Sequence, residues 1–239
     1  MRISKEKRGK LLKKVFFFFY GKKVEKRKEW WYTSFKNWQY QYTIRNTEGG
    51  ATMGYVKWSY SVLEHFCHDV FRAFGFDETQ SKEIEDVLLT ADLFGIESHG
   101  MQRMVRYHKG IEKGTIHPLA KPEVVFETPV SAVIDGHNGM GQLISIYAMK
   151  KAIEKAKTSG IGMVSVRNSN HFGIAGYYAK MASDEGLLGM ACTNSEAIMV
   201  PTFGKKAMLG SNPIAVAMPA EPYPFLFDCS TTVVTRGKL

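Results

Sequence analysis

The sequence is poor in cysteine, with Cys67, Cys192 and Cys229 as its three. That number and spacing exclude a disulfide-built scaffold and fit no zinc motif, so no metal is expected. No apolar run approaches the ~20 residues that a bilayer-crossing helix requires. The longest, Val15–Tyr20, also falls short of the ~7–15-residue core of a secretion signal. A reducing, cytoplasmic compartment is the expectation that remains. Also missing are a phosphate-binding P-loop, a His-Glu-x-x-His and a Gly-x-Ser-x-Gly. Gly136, Gly139 and Gly141 come closest to a dinucleotide fingerprint, but at the wrong spacing. An ordinary Rossmann domain is therefore not supported.

What is present divides at about residue 52. The chain is 44% hydrophobic and 23% charged, a globular composition, with a formal net charge of +9. Residues 1–52 hold 14 of the 32 Lys+Arg and four of the 23 Asp+Glu, a local net of +10. The body is thus close to neutral, and no nucleic-acid or membrane partner is expected for it. The same 52 residues carry 12 of the 30 aromatics in no sustained period. One reading is a basic, aromatic arm for RNA or anionic membrane. The other is that this stretch is not native protein. Lys, Phe and Tyr are what AT-rich DNA yields when translated without selection. Glu48-Gly49-Gly50 needs purine-rich codons that resemble a ribosome-binding site shortly before Met53. The expectation is a start at Met53, with 1–52 a non-native or disordered extension.

From residue 55 the pattern is regular. Apolar spacing predicts helices over 60–74 and 77–94, stopped by Gly75 and Gly95, and a third over 101–112. Strands are expected at 123–127, 132–134, 161–166, 187–192, 214–218 and 225–227, with helices at 144–157 and 175–183 between them. Asp135 to Gly139 reads as a turn. The fold class is α/β: a helical N-terminal part over 53–120, then a mixed-sheet domain over 121–239.

Several polar clusters could carry chemistry. Ser98-His99 precedes the third helix, and either residue could simply cap it. With Arg103 and Tyr107, His99 follows an i, i+4, i+8 spacing that would put all three on one helix side, a plausible anion clamp. Asn168 to Gly173 follows a buried strand, where α/β proteins place ligands. His171 in that loop has an unperturbed pKa near ~6.5, suited to reversible proton transfer. Three more polar segments, around Asn194-Ser195, Ser211-Asn212 and Asp228-Cys229-Ser230, sit at strand ends and would form a pocket if they converge. Each alone is ordinary turn or cap composition; Asp228 could cap a helix from Ser230, and Cys229 reads as a buried thiol.

Taken in order, Ser98-His99-Gly100 with Arg103 and Tyr107, Arg167 to Gly173 with Ala175-Gly176-Tyr177, Leu209 to Pro213, and Asp228-Cys229-Ser230 resemble the malate/L-lactate dehydrogenase family. That family includes ureidoglycolate, sulfolactate and diketogulonate enzymes and cyclic-imine carboxylate reductases. The resemblance spans residues 56–239 and not the first 52. It implies an NAD- or NADP-dependent oxidoreductase of non-Rossmann fold, a homodimer, acting on a small 2-hydroxy or 2-oxo acid. It implies His171 as general acid/base, or the Ser98-His99 pair as in the imine reductases. Arg103 would hold the substrate carboxylate, with Tyr107, Asn194 and Ser195 lining the substrate pocket. His171, Phe172, Gly173, Ile174 and Ala175, together with Asp228, Cys229 and Ser230, would contact the cofactor. Family members continue past residue 239, where a helix should begin at 235. The sheet domain is therefore expected to be incomplete, with apolar surface exposed near Met218 and Phe227. The rival expectation is a truncated paralogue serving only as an oligomerising or binding module.

Overall fold

The computed structural model describes residues 15–20, 39–44 and 54–232. The helix expected from 235 lies outside them. Three helices form the N-terminal part: α1 (Tyr60–Ala73), α2 (Glu78–Leu93) and α3 (Met104–Glu112). α1 turns Leu63, Cys67 and Phe71 inward at four-residue spacing. Asp77 opens α2 with a reciprocal capping box. Its carboxylate accepts the Gln80 amide at 2.8 Å, and Gln80 Oε1 accepts the Asp77 amide at 3.0 Å. Phe71, Phe76, Ile84, Leu88 and Tyr107 form one apolar cluster, whereas Val87 on α2 packs into the sheet core. α2 thus ties the helical part to the sheet. No helix among the described residues is long and apolar enough to cross a membrane.

The sheet is mixed. β4 (Glu123–Glu127), β5 (Ser131–Gly139), β6 (Met163–Ser169), β7 (Leu188–Thr193), β8 (Ile214–Met218) and β9 (Phe225–Cys229) are joined by β1 (Val15–Tyr20). Their order is β4-β5-β6-β1-β7-β8-β9. β1 is antiparallel to both β6 and β7, so those two run the same way; β5 is parallel to β6, and β7-β8-β9 alternate. The carboxyl ends of β5, β6, β7 and β9 therefore open on one edge. α4 (Gly141–Ser159) and α5 (Ala175–Asp184) pack against inward-alternating Ala132, Ile134, Val164, Val166, Ala191, Ala215 and Ala217. β2 (Gln39–Ile44) and β3 (Gly54–Ser59) pair as a separate ribbon.

Three local departures from the sequence reading have physical causes. β5 continues through the segment read as a turn. His137 (φ 47°) and Asn138 (φ 57°) adopt left-handed backbone there, and pairing with β6 skips from Asp135 to Gly139, so the turn residues make a bulge inside a strand. The helix expected over 101–112 begins as a 3₁₀ turn, Met101–Arg103, and becomes α-helical from Met104; a separate 3₁₀ turn, Glu97–His99, precedes it. Val15–Tyr20, inside the stretch expected to be non-native or disordered, pairs within the sheet, with Phe17 opposite Val164 on one side and Ala191 on the other; whether that stretch is native is left to the test in the Discussion. The apolar exposure expected near the last strands is present: Phe225, Leu226 and Phe227 are 48%, 37% and 46% exposed, on both faces of the edge strand β9.

Candidate functional site

The 98–103 segment is built around a buried carboxylate. Asp92 Oδ2 accepts the Met101 amide at 2.8 Å. A Cβ at position 100 would lie 1.8 Å from Asp92 Oδ1, so only glycine lets the chain pass this carboxylate. Gly100 takes φ −86°, ψ −149°, which breaks the helix and separates the two 3₁₀ turns. Ser98 is buried, with Oγ 2.9 Å from His99 Nδ1. The Arg103 Nε donates to the Ser98 carbonyl. His99, Arg103 and Tyr107 thus lie on three successive short elements, not on one helix as their spacing suggested.

The loop after β6 is held from both sides. Asp135 accepts Arg167 Nε at 2.9 Å and Asn168 Nδ2 at 2.9 and 3.0 Å. Burial alone would raise the Asp135 carboxyl, but the His137 amide, Asn168 and Arg167 together hold it below the usual carboxylate range. Asn170 Nδ2 faces the carbonyls of Thr115, Asn138 and Gly139 at 3.1, 2.8 and 3.0 Å. At Gly141, the first residue of α4, a Cβ would come within 2.3 Å of the His171 carbonyl. The missing side chain is what lets the His171 backbone rest on that helix end.

These two segments meet. The Tyr107 hydroxyl lies 2.8 Å from His171 Nδ1, and the His99 and His171 rings stack at 5.3 Å with 28° between planes. Gln142, fully buried on α4, donates its Nε2 to the Tyr107 oxygen at 2.8 Å. The Gly173 amide approaches His171 Nδ1 at 3.3 Å. Burial pushes the Tyr107 phenol well up, so it stays protonated. Burial, then the charges of Arg103 and Arg106, push His99 down to about 4, so it is neutral at pH 7. A recess of about 250 Å³ opens beside this group, with Tyr107 and His171 among its walls.

The depressed His99 has a consequence for stability. The unfolded chain takes up its proton near ~6.5, the folded one only at about 4. Folded and unfolded forms are both neutral above that window, so His99 costs nothing there. As pH falls from 6.5 to 4 the unfolded state alone is protonated, and stability is lost, on the order of 2–3 kcal/mol. The thermal midpoint of a His99→Asn variant should therefore fall less steeply over this range. Parallel curves for the two proteins would show that His99 is well solvated.

The other strand ends also converge, as a second group. Ser195 Oγ lies 3.0 Å from Ser211 Oγ and accepts the Ser211 amide at 2.7 Å; Asn212 Oδ1 accepts the Ser195 amide at 3.0 Å. Ser230 Oγ donates to the Ser211 carbonyl at 3.2 Å, and the Thr231 amide does so at 2.9 Å. Asn194 sits beside Ser195 at the end of β7. Asp228 does not cap a helix from Ser230. Its Oδ2 instead accepts the Gly176 amide at 2.7 Å, capping α5 from another strand. Burial raises the Asp228 carboxyl, and the Gly176 amide offsets part of that rise. Cys229 is exposed, not buried; β9 is an edge strand among the described residues. Phe172, Ile174 and Ala175 face the interior, with Phe172 stacked on Tyr178 at 5.1 Å, so they present backbone and not side chain to a ligand. Gln142 and Asp92 were missed by the sequence reading; a glutamine on the inward side of an otherwise apolar helix was the available signal for the first.

The model of the malate/L-lactate dehydrogenase family matches residues 58–239. The malate dehydrogenase of Pyrococcus abyssi is 47% identical over 192 residues, 80% of this chain and 53% of the relative. The L-sulfolactate dehydrogenase of Methanocaldococcus jannaschii is 44% identical over 171 residues, 72% of this chain and 50% of the relative. Among solved structures, malate dehydrogenase from Pyrococcus horikoshii superposes with a TM-score of 0.72 at 48% identity, covering 74% of this chain and 51% of that one. The chain thus spans about half the length of the curated relatives it matches. Shared sequence and shared architecture agree: this chain belongs to the malate/L-lactate dehydrogenase family.

Proposed function

We propose that the chain is part of an oxidoreductase that moves a hydride between NAD or NADP and a small 2-hydroxy or 2-oxo acid. The observation that carries the reading is the His171 imidazole held by the Tyr107 hydroxyl at 2.8 Å and stacked on His99. The second strand-end group fits a dinucleotide by its donor chemistry. The hydroxyls of Ser195, Ser211 and Ser230 and the Asn212 amide suit ribose hydroxyls and a carboxamide. Asp228 already occupies the Gly176 amide, which disfavours a phosphate at the start of α5. When bound, the nicotinamide supplies the hydride donor or acceptor.

The remaining work falls to the chain's own residues. Arg103 pairs with the substrate carboxylate. His171 gives a proton to the carbonyl oxygen in reduction and takes the hydroxyl proton in oxidation. Its Nδ1 faces Tyr107, which leaves Nε2 for the substrate. A hydroxyl both donates and accepts. With proton exchange at Nε2, Nδ1 keeps its proton in both charge states and donates it to the Tyr107 oxygen, which also accepts from Gln142, so the ring keeps one orientation through the cycle. Electrostatics supports His171 over His99: two imidazoliums at 5.3 Å would repel, and burial with the charges of Arg103 and Arg106 disfavours a proton on His99.

A homodimer in the cytoplasm is proposed on the same resemblance; the exposed Val62 and Phe66, one turn apart on α1, give such an assembly an apolar face. The second reading is an oligomerising or binding module without turnover. An assay of NADH and NADPH oxidation against a panel of 2-oxo acids separates the two. Turnover of at least one acid is expected. No turnover with either reduced dinucleotide, while ligands still bind, would favour the module.

A further inference from the structure

Asn138 sits exposed in the β5 bulge, with left-handed backbone (φ 57°), and is followed by Gly139. Asparagine adopts that backbone more readily than most residues. What sets Asn138 apart is its side chain. Asn168 gives its Nδ2 to Asp135 at 2.9 Å, Asn170 places its Nδ2 among three carbonyls, and Asn212 Oδ1 accepts the Ser195 amide at 3.0 Å. Among the described residues, no hydrogen bond holds the Asn138 side-chain amide; only its backbone carbonyl is engaged. The residue that follows is also distinctive. A serine follows Asn168 and Asn194, a histidine follows Asn170, and a proline, which has no N–H, follows Asn212. Glycine leaves the next backbone nitrogen unshielded by a Cβ. The ladder adds to this. Pairing of β5 with β6 skips from Asp135 to Gly139 and leaves Gly136 to Asn138 unpaired with β6. Turning the Asn138 side chain onto the Gly139 nitrogen therefore breaks fewer hydrogen bonds than the same turn in a regular strand.

We infer that Asn138 is a site of spontaneous modification, converting to aspartate and isoaspartate, and that the conversion unfastens the loop carrying His171. The Gly139 nitrogen attacks the Asn138 side-chain carbonyl carbon. The new C–N bond closes a succinimide ring, and the side-chain nitrogen leaves as ammonia, taking the proton from the Gly139 N–H. Water then opens the ring. Hydrolysis of the N–Cγ bond leaves aspartate. Hydrolysis of the other imide bond routes the main chain through Cβ and Cγ, one carbon longer, and leaves isoaspartate with a free carboxylate where the Asn138 carbonyl was. That carbonyl accepts the His117 amide at 2.9 Å and Asn170 Nδ2 at 2.8 Å, and the Gly139 carbonyl takes Asn170 Nδ2 at 3.0 Å. A carbon inserted between the two carbonyls moves them apart, and Asn170 loses the grip that holds it beside His171. The modification is chemistry of the chain itself and stands apart from the oxidoreductase reading.

The test ages the full chain in warm, mildly alkaline buffer, which speeds loss of the Gly139 proton. Proteolytic peptides are then weighed for a gain of one mass unit, and isoaspartate is counted by enzymatic methyl transfer to its free carboxylate. Asn138 should convert at least ~10-fold faster than Asn168, Asn170 or Asn212, since each of those must first give up a side-chain hydrogen bond. Aged protein should show a lower thermal midpoint and faster hydrogen exchange over residues 167–173. An Asn138→Gly variant keeps the left-handed backbone and lacks the reacting side chain. Its fresh midpoint should match that of the parent, and ageing should leave it in place. Peptide mapping of the parent decides the site even where the variant folds poorly. Conversion of Asn138 no faster than that of the other three asparagines would overturn the site. Conversion that leaves exchange and midpoint unchanged, or an equal decline in Asn138→Gly, would overturn its hold on the His171 loop.

Discussion

Replacing His171 by alanine is expected to lower kcat for 2-oxo acid reduction by about 10²–10⁴-fold, the span that a positioned general acid contributes. The KM should change far less, because the proposed carboxylate partner, Arg103, is held by the Ser98 carbonyl and not by the imidazole. A His99→Gln variant should act differently. His99 is neutral at pH 7, so it has no proton to give. What it provides is the stacked surface for the His171 ring and a partner for Ser98. Its loss should therefore cost less in kcat than the loss of His171 and should move the pH–rate profile, since a neutral neighbour that excludes water has been removed. Stopped-flow measurement of nicotinamide absorbance separates chemistry from product release. If His171→Ala retains full single-turnover rates, the acid/base assignment fails, and the Ser98–His99 pair becomes the candidate.

The sequence made part of this site readable for a physical reason: polar residues following a buried strand have few structural uses. Asn168 to His171 is such a run, although β6 continues two residues into it, to Ser169. Arg103 and Tyr107 were found by a spacing argument whose premise, a single helix from His99, does not hold. They still converge because Asp92 fixes the Met101 amide and Gly100 permits the bend. That carboxylate lies nine residues before its partner, and nothing local marks it. Gln142 is harder still. Its partner Tyr107 is 35 positions away, and only the tertiary fold that brings the start of α4 to Tyr107 gives the amide its role. Cys229 was misread because a lone cysteine is ordinarily a buried thiol, whereas burial depends on what lies beyond the edge of the sheet. The Asp228 carboxylate was assigned to the residues following it, but the crossing of β9 near α5 offers it the Gly176 amide first.

The first 52 residues are open to the second large test. β1 pairs with β7 over all six residues from Val15 to Tyr20 and with β6 over three, so its neighbours on both sides depend on it. Adjacent strands lie ~4.8 Å apart. Without β1, β6 and β7 would face each other across about twice that distance, too far to pair and too close for bulk water. Each buried backbone group left unpaired costs about 1–3 kcal/mol. Several such groups on two strands exceed the ~5–15 kcal/mol that holds a whole domain together. A chain beginning at Met53 should therefore lose cooperative unfolding, or regain it only by taking another strand into the gap. Phe17→Pro in the full chain is the gentler probe. Proline in a central strand removes a ladder hydrogen bond, so the thermal midpoint should fall by many degrees. If residues 53–239 alone melt at the full chain's temperature, the strand at 15–20 is not part of the working sheet, and a start at Met53 is the reading that survives.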